Sequence, residues 1–430
     1  MTKKQSVTLM FMTWLLYVSA YLGRYSYSSN QLSISLHYGV SNFEVGLASS
    51  FFFFAYGAGQ IVNGLLCRFY NPKYVLSGSL IISAIINLSV FFGIPFSLIE
   101  YVWLLNGVVQ SVLWSSLLMI LSKNLDGKYI RSSIIVMSTT ASTGTLLAYG
   151  LSALFASFDG FKFSFLIGAV AMAVSAIIWV FVYDKITLKK GEKLICEKAD
   201  DKVQKTKTKN KLHPAVLYTF IVFGFFAIII NLMKDGLTGW VPKIMFEQFG
   251  LDKSLSTLVT LVLPILTVFG TSLVVTLNKK IKEHTLLMAV VFMLASLFTT
   301  IVLILFNTPY WVVVLVSLGL ISLFMSGANN IVTSMIPLEM RDKANSGFVA
   351  GILNGCCYVG STLSSICLGA ISDAYGWKPA FTLFLVLCIA VVVVGVSCTV
   401  FSVIKNKRKN AIMADEKMLD TPSISQDKGE

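Results

Sequence analysis

Charge is scarce in this sequence. Only 13% of its residues are Asp, Glu, Lys or Arg, where a soluble domain carries about 25%. With 56% hydrophobic residues and a mean hydropathy of +0.77, a soluble globular fold is excluded. Catalytic motifs are also missing. There is no P-loop, no nucleophile elbow and no pair of carboxylates in an apolar setting, so the chain does not read as an enzyme. The three histidines, His37, His213 and His284, fall at the ends of apolar runs and support neither a metal site nor a proton relay. The seven cysteines lack metal-ligand spacing. Cys356, Cys357, Cys367, Cys388 and Cys398 lie in apolar stretches and read as small buried hydrophobes, Cys67 lies at a helix end, and Cys196 lies in a loop. Adjacent Cys356-Cys357 is not a CxxC pair, and no disulfide framework emerges. No cofactor and no metal are expected.

What is present is a succession of apolar runs, each long enough to cross a bilayer of about 30 Å. The pattern predicts an all-α integral membrane protein of twelve spans, at 6–36, 44–67, 74–97, 100–122, 131–156, 162–183, 214–242, 255–278, 284–306, 310–336, 344–371 and 378–404. The first run is too long for a signal-peptide core, lacks a clear small-residue cleavage site and reads as a retained helix. Lys3/Lys4, Arg68/Lys73, Lys123/Lys128/Arg131, Lys279/Lys280/Lys282, Arg341/Lys343 and Lys405/Lys407/Arg408/Lys409 all fall on one side, whereas the loops near 37–43, 94–100 and 307–309 carry no Lys or Arg. The positive-inside rule then makes both termini cytoplasmic. It also accounts for the net charge of +13 without a nucleic-acid partner. The stretch Asp184–Leu212 is Lys-rich and nearly free of large apolar residues, so it cannot bury a core. The expected organisation is an N-terminal six-helix bundle (1–183), a cytoplasmic linker (184–212), a C-terminal six-helix bundle (213–404) and a disordered cytoplasmic tail (405–430).

The two halves read as a duplication. Tyr38-Gly39-Val40-Ser41 resembles Phe249-Gly250-Leu251-Asp252, and Gly160-Phe161-Lys162 with Phe165 resembles Gly376-Trp377-Lys378 with Phe381, at offsets of 211 and 216. Six spans, a linker and six spans is the layout of transporters built from two parallel repeats with a midplane site between them.

Against this background the few charges inside spans stand out. Arg24 is the only full charge between Gln5 and Phe43, near the middle of the first span. An ionisable group at that depth costs from a few to more than ten kcal/mol unless it faces other protein or a water-filled cavity. Adding the repeat offset leads to the seventh span, where Lys234 and its neighbour Asp235 are the only charges from Pro214 to Pro242. Pseudo-symmetry brings Arg24 and Lys234 to one cavity, where an Arg fork and a Lys point charge suit a compact dianion such as phosphate. A plain Lys234–Asp235 neutralisation is the bland alternative. Tyr17 and Tyr21 share a helix face with Arg24, and Tyr56 and Gln60 share a face in the second span. The small residues of Ser138–Gly144, and Gly351, Gly355 and Gly360, read as close-packing helix faces.

The residues resemble the organophosphate:phosphate antiporters of the major facilitator superfamily, over nearly the whole chain outside the linker and tails. Tyr21-Leu22-Gly23-Arg24 is similar to the family's first-helix segment with its phosphate-binding arginine, Tyr17 and Tyr56 to its tyrosines, and Asn106-Gly107 with Gln110 and Trp114 to its fourth helix. Gly64 with Asn71-Pro72-Lys73 resembles the helix 2–3 loop. Lys234-Asp235-Gly236 with Trp240-Val241-Pro242 resembles the segment carrying a second phosphate-binding arginine, and Gly347-Phe348 and Gly369 through Trp377 resemble helix eleven and the segment beyond it. The sequence departs where it has Lys234 for that arginine, Arg68-Phe69 in the helix 2–3 loop, Gln60 for a lysine and Ser142 for a histidine. The resemblance therefore implies a phosphorylated substrate without implying glycerol-3-phosphate. It implies two pseudo-symmetric six-helix bundles and an antiporter in a bacterial plasma membrane. It further implies a monomer, a small anionic substrate exchanged for phosphate, and lipid as the only other partner. Residue placement and resemblance together give an expected substrate-binding set of Arg24, Lys234, Tyr21, Tyr17, Tyr56, Gln60, Trp114 and Asn354, with Asp235, the only acid inside a span, as a coupling candidate. Two other readings stay open: an ion-coupled organic-anion symporter using Asp235, and a sugar-phosphate sensor signalling through the linker.

Overall fold

A computed structural model describes residues 2–66, 69–125, 127–187, 214–340 and 346–419. Among them there are helices and no strands. The first span divides into α1 (Lys3–Ser28) and α2 (Gln31–Tyr38); α3 (Asn42–Leu66) and α4 (Pro72–Phe91) are the second and third. The fourth is α5 (Phe96–Gln110) with α6 (Val112–Asn124), the fifth α7 (Gly127–Ser138) with α8 (Thr140–Ala156), and the sixth α9 (Lys162–Ile186). In the second half, α10 (Pro214–Phe249) is the seventh span, α11 (Lys253–Val259) with α12 (Val262–Lys280) the eighth, and α13 (His284–Leu305) the ninth. The tenth joins α14 (Trp311–Asn330), a π turn (Ile331–Met335) and α15 (Ile336–Glu339); α16 (Ser346–Tyr375) and α17 (Trp377–Leu419) complete the set. Eleven helical segments are long and apolar enough to cross a membrane. The twelfth, α7–α8, falls short because Ser and Thr crowd its middle and the helix breaks at Thr139, whose hydroxyl bonds back to the Val136 carbonyl at 2.8 Å.

Helices occupy all twelve expected spans in order, eleven of them apolar and long enough to cross a membrane among the described residues, and their ends differ for physical reasons. Pro242 reads as a helix end in sequence, yet α10 runs through it to Phe249. Packed membrane helices tolerate an internal proline because neighbours re-satisfy the freed backbone groups. Consequently Lys243 and Glu247, expected outside the spans, belong to α10, and Lys243 is buried. The last helix continues past 404 to Leu419, while 420–430 lie outside the described residues, as does nearly all of the expected linker. Cys67 and Cys196 also lie outside them; the other five cysteines are free.

Each half has its own core. One cluster draws on residues of α10 to α17, including Trp240, Phe292, Phe324 and Phe381. Two smaller clusters, around Trp179 and around Trp103, draw on α1 to α9, with Tyr358 of α16 packed against the second. Small residues bring helices close within each half: a Cβ on Gly144 would collide with Tyr21, and one on Gly360 with the backbone of Ile228. The duplication is visible in backbone geometry. Gly39 and Gly250, matched by the repeat, end α2 and α10 with φ of 65° and 66°. Each is followed by a side-chain cap on the next helix, from Ser41 to the Glu44 amide at 3.2 Å and from Asp252 to the Leu255 amide at 2.9 Å.

The halves meet along α3 and α16 and are fastened at the end where α2 turns into α3. The Asp373 carboxylate accepts hydrogen bonds from the Asn42 and Phe43 amides at 3.0 and 2.7 Å, at the N-terminus of α3, and Asn42 donates to Ser372 at 2.9 Å. Lys243 donates to Ser35 at 2.8 Å, and Lys253 pairs with Asp159 at 2.7 Å. Lys253 holds the Asp159 carboxyl below the usual carboxylate range. These fasteners close one end of the space between the bundles.

Candidate anion site between the two bundles

Arg24 sits on α1 with 5% of its surface exposed. Its guanidinium carbon lies 4.1 Å from the Tyr56 ring centre, 4.7 Å from that of Tyr21 and 5.1 Å from that of Phe52. Each such cation–π contact supplies about 0.5–2 kcal/mol toward the cost of burying the charge. The orientation is fixed from behind by a polar relay. Arg24 Nε donates to Gln110 Oε1 at 3.2 Å, Gln110 Nε2 donates to Asn106 Oδ1 at 3.2 Å, and the Ser83 hydroxyl donates to the same oxygen at 2.8 Å. Arg24 Nη2 is buried and has no hydrogen-bond partner among the described residues. A buried unpaired donor costs about 1–3 kcal/mol, more when charged, so this nitrogen is where an acceptor gains most.

The other expected residues of the first half gather here. The Tyr17 and Tyr56 hydroxyls lie 3.2 Å apart, Tyr17 meets Tyr21 edge-on at 5.0 Å, and Trp114 stacks on Tyr17 at 5.2 Å. Gln60 Nε2 donates to the Tyr56 hydroxyl at 3.0 Å. From the second half, Asn354 donates to Gln60 Oε1, and Tyr358, one helical turn further, packs its ring 4.9 Å from Tyr56. The aromatic enclosure of Arg24 is therefore built by α1 and α3, with rings of α6 and α16 packed against it.

Lys234 forms a second pole on α10. Its Nζ donates to Asn231 Oδ1 at 3.0 Å and lies 3.3 Å from Asp235 Oδ1. The Lys234 side chain is 24% exposed and that of Asp235 9%, as expected of helix neighbours that point in different directions. The second carboxylate oxygen of Asp235 accepts from the Ser361 hydroxyl.

Sequence reasoning missed Gln110 as the orienting partner, and missed Asn231, Asn329, Tyr358 and Ser361. The available signal was helical spacing: Asn231 is one turn before Lys234, and Tyr358 is one turn after Asn354. Ser142, noted for its place in the family pattern, is half-buried on α8. Of the histidines, His284 bonds Glu339 at 2.8 Å, remote from Arg24 in chain position and in partners.

Known proteins agree with this architecture. A protein of Chlamydia pneumoniae named "Probable hexose phosphate transport protein" is 21% identical over 92% of this chain and 91% of its own length. A protein of the same name from Chlamydia muridarum is 22% identical over 86% of this chain and 85% of its own length. Among solved structures, a bacterial homolog of the human lysosomal transporter Spinster, in an inward-facing and occupied conformation, superposes with a TM-score of 0.75 at 14% identity, covering 93% of this chain and 98% of its own. The nucleoside transporter NupG gives 0.66 at 14% identity, covering 91% and 98%. Those likenesses show the fold. The family model described as Major Facilitator Superfamily matches residues 13–346, and this multi-pass membrane protein, a transporter and not an enzyme, belongs to that superfamily.

Proposed function

We propose that the protein exchanges a phosphorylated metabolite, such as a hexose phosphate, for inorganic phosphate across the cell membrane by alternating access. The observation that carries this reading is Arg24, buried in an aromatic enclosure at the meeting of the halves with Nη2 unpaired among the described residues. A phosphate oxygen is a strong acceptor for such a donor, and the guanidinium fork suits a tetrahedral oxyanion. The names of the chlamydial relatives support the same substrate class. Lys234 contributes a second positive charge from the other half. A bound anion draws the halves together, whereas an unloaded site keeps an unpaired cation in a poorly hydrated space. Unloaded return is then slow, and flux is coupled as exchange. The fastened end lies opposite the Lys-rich loops, so it is the outer one and both termini are cytoplasmic.

The test is counterflow of radiolabelled phosphate in proteoliposomes. Arg24→Ala and Lys234→Ala are expected to abolish exchange while the protein remains folded. Wild-type rates in both variants sink the mechanism.

A second reading follows from the contact between Lys234 and Asp235, which makes Asp235 a carboxylate whose partner changes when an anion takes Lys234. On this reading the carrier is a proton- or sodium-coupled symporter of organic anions. It predicts uptake driven by an imposed ion gradient without internal phosphate, and loss of that drive in Asp235→Asn.

A further inference from the structure

Behind Lys234 lies a set of polar side chains that an anion clamp does not require. Asn231 on α10 is buried, yet both ends of its carboxamide are engaged. Its Oδ1 receives Lys234 Nζ at 3.0 Å, and its Nδ2 donates to the Ala227 carbonyl at 3.0 Å and to Asn329 Oδ1 at 2.9 Å. Asn329 Oδ1 also receives the Cys357 thiol at 3.5 Å. Two donors from α10 and α16 thus converge on one oxygen of Asn329, which fixes which way its amide faces. The Asn329 Nδ2 group is left with no partner among the described residues, on a side chain that is neither buried nor fully exposed. Asn329 lies next to the end of α14, where the chain enters the π turn Ile331–Met335. Single π turns inside helices concentrate at functional sites because they re-aim the adjacent side chains.

We propose that Asn329, oriented by Asn231 and Cys357, is a specificity-determining residue that donates to a hydroxyl oxygen on the organic part of the transported phosphate ester. This rests on the proposed exchange of a phosphorylated metabolite. A hydroxyl suits a neutral carboxamide donor, whereas an anionic group gains more from the charged Arg24 and Lys234. The division of labour follows from position. Arg24 of the first half takes the phosphoryl group, which inorganic phosphate and the ester have in common. Asn329 of the second half reads what differs between them. A site built to hydrogen-bond a substrate hydroxyl discriminates strongly against an analogue lacking it, because the site's own polar group is then left unpaired.

The experiment compares two reactions of one protein in proteoliposomes: phosphate self-exchange, and exchange of internal phosphate for external hexose 6-phosphate. Asn329→Ala is expected to raise the half-saturating hexose 6-phosphate concentration about tenfold more than that of phosphate, the equivalent of one lost hydrogen bond to the ester alone. Asn329→Ser, which keeps a short donor, is expected to fall between, and it serves also if the alanine variant fails to fold. Equal loss of both reactions in a variant that elutes as wild type overturns the inference, as does an unchanged response to the hexose phosphate. Absence of phosphate self-exchange in the wild type overturns the transport reading itself and removes this inference with it.

Discussion

Replacing Asp373 by Asn is expected to loosen the fastened end of the carrier without touching the site. In the closed arrangement this carboxylate accepts two amide hydrogen bonds, at 3.0 and 2.7 Å, from the first turn of α3 in the other half. Two charge-assisted hydrogen bonds are worth about 3 kcal/mol or more when sheltered. A negative charge at a helix N-terminus adds about 0.3–1 kcal/mol. Asp373 is exposed, so solvent screening removes much of this. Asparagine keeps one carbonyl oxygen and therefore one neutral bond, and the net loss is about 1 kcal/mol, a shift of about fivefold in the balance between the closed and open states of that end. Spin labels at Phe92 and Tyr310, exposed at that end of the two halves, would report it in a cysteine-free background. Pulsed distance measurements on Asp373→Asn should show the longer separation gaining population by about that factor. An unchanged distance distribution would refute the assignment of Asp373 as a fastener.

Other outcomes follow from the same geometry. Arg24→Lys keeps the charge but loses the Gln110 bond and the planar stack on Tyr56; phosphate exchange should fall at least about tenfold, and a wild-type rate would show that charge alone suffices. Gly46 packs on the Ser365 backbone where α3 crosses α16, so Gly46→Val should give a folded protein whose fastened end cannot close, read as lost transport and a shift of the same label distances. The Asp159–Lys253 pair joins the halves at that end. Because Asp159 titrates below the ordinary value of about 3.9, its contribution is complete above that value and fades only as pH falls below it. Lowering the pH from 7 to about 5 should therefore leave the pair intact, and a distance change at the fastened end in that window that Asp159→Asn abolishes would contradict this.

Much of the fold was legible because the bilayer makes hydropathy a nearly complete description of a spanning helix. The misplaced end of α10 shows the limit. Proline terminates a helix by removing one hydrogen bond, but tertiary packing decides whether that loss matters, and packing is not local. Arg24 and Lys234 were legible for the reason the spans were: a full charge among apolar residues is conspicuous. Gln110 and Asn329 were not, since one carboxamide on an apolar helix looks like a packing residue until its partners from other helices are known. Tyr358 likewise became informative only through its contact with Tyr56.

The contact between Lys234 and Asp235 has an electrical consequence. With Arg24 and Lys234 ionised and Asp235 deprotonated, these three groups sum to one positive charge. Moving a full elementary charge through 100 mV is worth about 2.3 kcal/mol. An unloaded site would carry its positive charge outward against a negative-inside potential, so voltage itself would hold the unloaded carrier facing the cytoplasm. A site loaded with a doubly charged phosphate carries one negative charge in either direction, and a one-for-one exchange of such anions moves no net charge. The same salt bridge would thus let voltage bias where the resting carrier waits while leaving the proposed exchange electrically silent.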